Sequence, residues 1–235
     1  MRLKEFLSAR AVDYVSVNVL EDPAGLAELK ALGARSVPVL SRGDKFIYAQ
    51  SLKPIIEFVG LNEKSGPELT PAELHDRLDR FMDAAIDLLP RMPADRLQTH
   101  VPGRPRSYRT LGFHLFRVVA AFLDAVDGRK LEQAVFAEAP ADDATMESVA
   151  AYGAGVKRRL DAWWAATSDR DGTSTLDTYY GPQSLHELFE RTTWHCGQHV
   201  RQWMMLLERE GVTITKPLGD ADFARLPMPQ NVWDG

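Results

Sequence analysis

Ser184-Leu-His-Glu-Leu-Phe-Glu-Arg-Thr-Thr-Trp-His-Cys-Gly-Gln-His-Val-Arg-Gln-Trp-Met-Met-Leu-Leu-Glu-Arg-Glu210 reads as one long amphipathic helix. Ser184 with Glu187 makes a capping box at its start, and Gly211 is a C-terminal stop signal. Between them Leu188, Thr192, His195, His199, Trp203 (or its neighbour Gln202) and Leu206 recur in steps of three and four along one face. A helix buries that face, so two imidazoles point inward. From Ser107 to Asp127 a second stripe, Leu111, His114 beside Leu115, Val118, Phe122 and Ala125, turns a third imidazole toward the core. An apolar interior tolerates a polar ring only when the ring is paired. One divalent ion would satisfy all three rings at once. For His114 alone a hydrogen bond to a backbone carbonyl is the default reading, ahead of a ligand role, and a histidine pair at spacing four is by itself a weak motif.

The segments upstream share this helical period. Thr70 with Pro71 and Glu73 opens a helix carrying Leu74, Leu78, Phe81, Ala85 and Leu88, and another, from Thr145 to Thr167, carries Val149, Gly153, Val156, Leu160 and Trp163. Four amphipathic helices of this length predict a bundle. Two long connections, Arg91 to Arg106 and Arg129 to Ala144, are expected to lie over a functional site. Pro217 to Trp233 is too proline-rich for a helix and too apolar to float free, and is expected to lie across the bundle.

Before residue 62 the pattern changes. Tyr14 to Leu20 alternates as a strand, Pro23 to Leu32 reads as a helix closed by Gly33, and Val37 to Leu40 reads as a second strand. A turn at Arg42-Gly-Asp44 leads into Lys45 to Tyr48, and a helix follows from Ser51 to Val59. The fold class expected is therefore α+β and multidomain: a small α/β unit over residues 1–61, a polar linker from Asn62 to Pro67, and a helical domain with a C-terminal extension over residues 68–235.

Composition limits the function classes. The 235 residues are 45% hydrophobic and 26% charged, with a net charge of -5, which disfavours a nucleic-acid partner because phosphate binding relies on clustered Lys and Arg. No apolar run approaches a membrane span, and the opening Met-Arg-Leu-Lys-Glu lacks the apolar core of a signal peptide, so a cytoplasmic protein without membrane contact is expected. The single cysteine, Cys196, excludes an internal disulfide.

With His114 on the second helix of the bundle and Trp194-His-Cys-Gly-Gln-His199 on the fourth, residues 68–211 resemble the DinB/YfiT-like metal-binding four-helix bundles, whose members include bacillithiol transferases and mycothiol-dependent maleylpyruvate isomerases. The resemblance implies that His114, His195 and His199 are the ligands of a divalent ion, zinc or nickel. The first 61 residues resemble a truncated glutaredoxin or thioredoxin-like domain: Ser36-Val-Pro-Val39 matches the segment that holds that fold's cis-proline, at Pro38, and Gly43-Asp-Lys45 matches the hairpin after it. The first strand and Cys-x-x-Cys turn, which would precede Arg2, are absent from the sequence, either through a mis-set start or because the unit is a remnant. Dithiol redox chemistry is therefore not expected. In that fold the residue before the cis-proline pairs its backbone with the cysteinyl part of glutathione, which implies thiol binding at Val37 and Pro38.

Three neutral imidazoles leave a coordination position open, as catalytic zinc sites do. A water bound there would be acidified, or a thiol held as its thiolate. A zinc-protease reading fails, because Cys, Gly and Gln between His195 and His199 supply no Glu base. Cys196 lies about 100° round the helix from His195 and is expected to pack against a neighbouring helix rather than ligate. Gln198 and Arg201 flank the site, while His75, His100 and His186 have no partner at ligand spacing and are expected at the surface. Two functions follow from these expectations. One is a metal-dependent thiol transferase using glutathione on a small electrophile; the other is a non-catalytic metal- or thiol-binding stress or sensor module. A homodimer is left open.

Overall fold

The computed structural model describes residues 3–8, 12–50, 52–61, 66–102, 105–229 and 231–233. Residues 62–65 of the expected linker, Ser51 at the start of an expected helix and the terminal residues Met1 and Arg2 lie outside the described residues. The chain divides into two compact units, Met1–Gly66 and Pro67–Gly235.

In the first unit, α1 (Leu3–Ser8) and α3 (Leu52–Val59) supply the buried side chains Phe6, Leu7, Ile55 and Ile56, against which Leu40 and Ile47 of a hairpin pack. Between α1 and the hairpin lies α2 (Pro23–Ala31), where Asp22 accepts from the amides of Ala24 and Gly25 at 2.9 and 3.1 Å and Pro23 fills the first turn. The hairpin pairs β1 (Val39–Arg42) with β2 (Lys45–Tyr48), Val39 opposite Tyr48 and Arg42 opposite Lys45. Its two-residue turn needs a left-handed first residue, which Gly43 provides at φ +63°. The Val37–Pro38 peptide is cis. The strand expected from Val37 starts two residues later, because proline has no N–H to give to a ladder.

The strand expected over Tyr14–Leu20 does not form. Alternation makes a strand only if a partner takes its backbone groups, and among the described residues none pairs with this run. Neither alternate face is covered: Val15 and Leu20 are 90% and 92% exposed.

The second unit is mostly helical. Four long helices, α4 (Pro71–Leu88), α5 (Tyr108–Val126), α6 (Met146–Ala166) and α7 (Leu185–Arg209), pack so that α4 and α5 each contact both α6 and α7. Their ends follow the local chemistry. Thr70 and Glu73 close a capping box on α4, with Thr70 N–H donating to Glu73 at 2.7 Å and Glu73 N–H donating back at 3.2 Å. Ser184 and Glu187 do the same on α7. At the far end of α7, Gly211 donates to Glu208 and Val212 to Leu207, with Gly211 at φ +77°, so the last carbonyls are satisfied by a glycine turn.

The core joins Leu74, Leu78 and Phe81 of α4, Leu115 and Phe122 of α5, Leu160 of α6, and Leu188, Phe189 and Trp203 of α7. Two glycines set the closest approaches. A Cβ on Gly153 would overlap the Phe116 ring, and one on Gly197 would stand 2.6 Å from Phe81 Cε2. Two-residue strands β3 (Thr175–Leu176) and β4 (Gln183–Ser184) pair just before α7.

After α7 the chain returns across α4 and α7 as expected, although it forms one turn of helix, α8 (Asp220–Phe223). Phe223 stacks on Phe81, Asp222 accepts from Arg80 at 3.1 Å, and Arg225 donates to Glu68 and Glu73 at 2.9 and 2.8 Å. No described helix is long and apolar enough to cross a membrane.

Candidate metal centre

His114 sits in the second turn of α5, and His195 and His199 lie one turn apart in the middle of α7. Packing of α5 on α7 brings the three rings together. Their centroids lie 5.5 Å (His114 to His195), 5.0 Å (His114 to His199) and 4.8 Å (His195 to His199) apart. One ligand-capable nitrogen from each ring falls within 4.8 Å of the other two. His114 and His199 are buried and His195 is partly so. Gly197, on the turn between His195 and His199, is what lets this part of α7 lie against Phe81 of α4.

Burial is the main cause that holds His114 down to about 2 and His195 well below its ordinary value. The neighbouring imidazoles and the guanidiniums of Arg106 and Arg191 push both the same way, while a hydrogen bond with the Phe136 backbone opposes the shift at His114. All of these favour the neutral ring, the form that binds a metal.

Among the described residues, His114 Nδ1 and His195 Nδ1 are buried with no hydrogen-bond partner. Such unpartnered ring nitrogens are costly in an apolar interior, and they fit a divalent ion held by nitrogen ligands. His114 also has the backbone contact at Phe136, so the core-histidine reading accounts for one of its nitrogens and leaves the other.

The surroundings come from loops. Phe136, on a 3-10 turn over Gln133–Ala137, lies 6.1 Å from His114 and 6.4 Å from His195. Arg117, one turn past His114, donates to both Glu138 carboxylate oxygens at 2.7 and 3.1 Å and so pins that loop to α5. Arg191 lies over the rings of Phe136 and Tyr180, at 5.5 and 5.3 Å. Trp194 stacks on His195 at 5.6 Å. The connection Arg129 to Ala144 thus borders the triad, as its length suggested. Tyr179 and Tyr180 reach the same region from the segment before α7, which the sequence did not single out; Tyr179 N–H donates to Leu131 O at 2.8 Å and ties the two loops together.

Cys196 is fully buried in the hydrocarbon core, its thiol pushed far up by burial, and it stands outside the triad. Gln198 and Arg201 grip the returning chain: Gln198 Nε2 donates to Val232 O at 2.6 Å, and Arg201 donates to Gln198 Oε1 at 3.2 Å and to Pro229 O at 3.0 Å. Two outlying histidines are less exposed than expected. His75 stacks on Trp164 at 5.0 Å, and His186 Nε2 is 2.8 Å from Leu69 O. Val37 and Pro38 lie in the first unit, Val37 half exposed.

The family model for glutaredoxin matches residues 1–47, so the first unit is glutaredoxin-like. No curated protein matches the chain.

Proposed function

We propose that the chain is a metal-dependent thiol transferase that binds glutathione and joins it, through its sulfur, to a small electrophile, with a helical unit of the DinB/YfiT-like kind. The observation that carries this reading is the convergence of the largely buried His114, His195 and His199 on one point, with burial favouring the neutral ring at His114 and His195. Zinc, or nickel, held by these three rings would supply a Lewis acid with room for a thiol as its thiolate.

The chain's own residues then divide the work. Phe136 and Trp194 limit water around the imidazoles. Arg106 and Arg191, whose positive field reaches His114 and His195, favour the anionic sulfur over the neutral thiol. A thiol held there would release its proton to solvent, and its sulfur lone pair would form the bond to the electrophilic carbon as that carbon gives up a leaving group or a π pair.

The glutaredoxin-like first unit points to a low-molecular-weight thiol independently of the triad. Within the first unit, Val37 and Pro38 are the thiol-binding positions that the glutaredoxin likeness suggests. A cytoplasmic setting keeps that pool reduced.

The test is in two parts. Elemental analysis of protein purified without an affinity tag should find one equivalent of divalent metal per chain. Calorimetry should then show glutathione binding that depends on the metal, with S-methylglutathione, which cannot form a thiolate, failing to bind. If neither compound binds metal-loaded protein, or both bind equally well without metal, the transferase reading fails and a non-catalytic binding module takes its place.

A further inference from the structure

Gln202 follows His199 by one turn of α7 and is itself buried. Its Oε1 lies 2.7 Å from His199 Nδ1, and its Nε2 donates to the backbone carbonyl of Val232 at 3.0 Å. That second bond fixes the first. A carbonyl oxygen accepts only, so the amide nitrogen must face Val232 and the amide oxygen must face His199. The oxygen in turn accepts only, so His199 Nδ1 must carry the ring proton and Nε2 must carry the lone pair. Turning the amide over, or moving the proton to Nε2, would set two acceptors against each other. The Val232 carbonyl also takes the Gln198 amide at 2.6 Å, so two side chains one turn apart on α7 converge on it.

We propose that Gln202, oriented by the Val232 carbonyl, is a positioning residue that fixes the Nδ1–H form of His199 and thereby presents Nε2 to the histidine triad. The C-terminal segment, which contributes no side chain to the triad, thus decides which nitrogen of a ligand candidate carries the lone pair. The consequence for affinity rests on the metal reading; the placement of the proton does not. Partners that orient metal-binding histidines in this way typically govern metal affinity by ten- to a hundredfold.

The experiment uses the full chain, metal-free and zinc-loaded. Long-range proton–nitrogen correlation spectra of the metal-free protein report which ring nitrogen of His199 is protonated, and chelator competition reports zinc affinity. The wild type should show the Nδ1–H form. Gln202→Met, similar in length but unable to bond at either end, should shift His199 toward the Nε2–H form and weaken zinc binding ten- to a hundredfold. Deletion of residues 229–235, which leaves Gln202 in place and removes Val232, should shift the proton in the same direction and serves if Gln202→Met does not fold.

An Nε2–H form in the wild type overturns the proposal. So does a His199 proton that stays on Nδ1 in both variants, even if zinc affinity falls, since that result would describe a merely structural role. If the wild type takes up no zinc but its His199 proton responds as described, the metal reading falls and the positioning role of Gln202 stands.

Discussion

Replacing Gly197 by alanine should destabilise the helical unit, although alanine is the better helix former. The gain in helix propensity is about 1 kcal/mol. Against it stands Phe81: the new Cβ would lie 2.6, 3.0 and 3.2 Å from Cε2, Cζ and Cδ2 of a ring with no accessible surface. Ordinary contact starts near 3.4 Å, so the ring must move by most of an ångström. It has nowhere to go, because Phe223 stacks on it at 5.3 Å. Overpacking of this kind costs about 1–3 kcal/mol, and the confined ring argues for the upper half of that range. The net loss should be about 1–2 kcal/mol, or roughly 2–8 °C in melting temperature for a unit of this size. Gly155→Ala is the internal control, since its Cβ would meet nothing nearer than Arg158 Nη2 at 3.7 Å; it should gain up to about 1 kcal/mol. In a Phe81→Leu background the Gly197→Ala penalty should shrink or reverse, and a double-mutant cycle measures that coupling. A Gly197→Ala protein melting at or above the wild type would refute the claim that Gly197 is there for the approach of α7 to α4.

Zinc at a hundred times its dissociation constant should stabilise the metal-free protein by about 2.7 kcal/mol; an unchanged melting temperature would count against three convergent ligands. His199→Ala should abolish metal binding while Cys196→Ala leaves it nearly intact, and equal loss in both would make the thiol a ligand. Burial pushes the Cys196 thiol far up, so a thiol reagent at pH 8 should label it only as fast as the chain unfolds; rapid labelling of folded protein would place it at the surface. Burial also raises the Glu190 carboxyl from 4.5 to about 7. Below pH 4.5 the folded and unfolded chains both hold this proton; between 4.5 and 7 only the folded chain does, so stability falls as pH rises, by up to about 3 kcal/mol, and the loss is complete above 7. Glu190→Gln should therefore stabilise the protein in denaturant titrations at pH 8 and leave it unchanged at pH 4, and equal effects at both would reject the shift.

Features encoded within a turn or two of sequence were legible. Both glutamate capping boxes, the glycine stop after α7 and the hairpin turn at Gly43 and Asp44 depend on residues a few positions apart, and the structure has them where the residues predict. The inward stripes put His114, His195 and His199 on core faces, and helix packing brings them together. What the sequence could not convey depends on remote partners. The run Tyr14–Leu20 has strand chemistry, but a strand also needs a neighbour. Gln202 was read only as an alternative to Trp203 on the apolar stripe, because its role arises from a backbone carbonyl 30 residues away at Val232. His75 and His186 looked exposed since the covers they find, Trp164 and the Leu69 carbonyl, are not neighbours in sequence. A glutamine three residues after a candidate ligand was the one local signal for Gln202.

The Glu73 carboxylate has two separate tasks: Oε2 closes the capping box with Thr70, and Oε1 accepts from Arg225. The two partners leave the ribosome at very different times, since Arg225 lies 152 residues downstream of Glu73. During synthesis the first turn of α4 can form as soon as its own residues emerge, but its carboxylate stays half engaged and Phe81 lacks its covering ring until Phe223 and Arg225 follow. The helical unit is thus latched at its beginning by residues made 152 positions later, and a nascent chain stalled short of residue 223 would present that open aromatic face to whatever binds unfinished proteins.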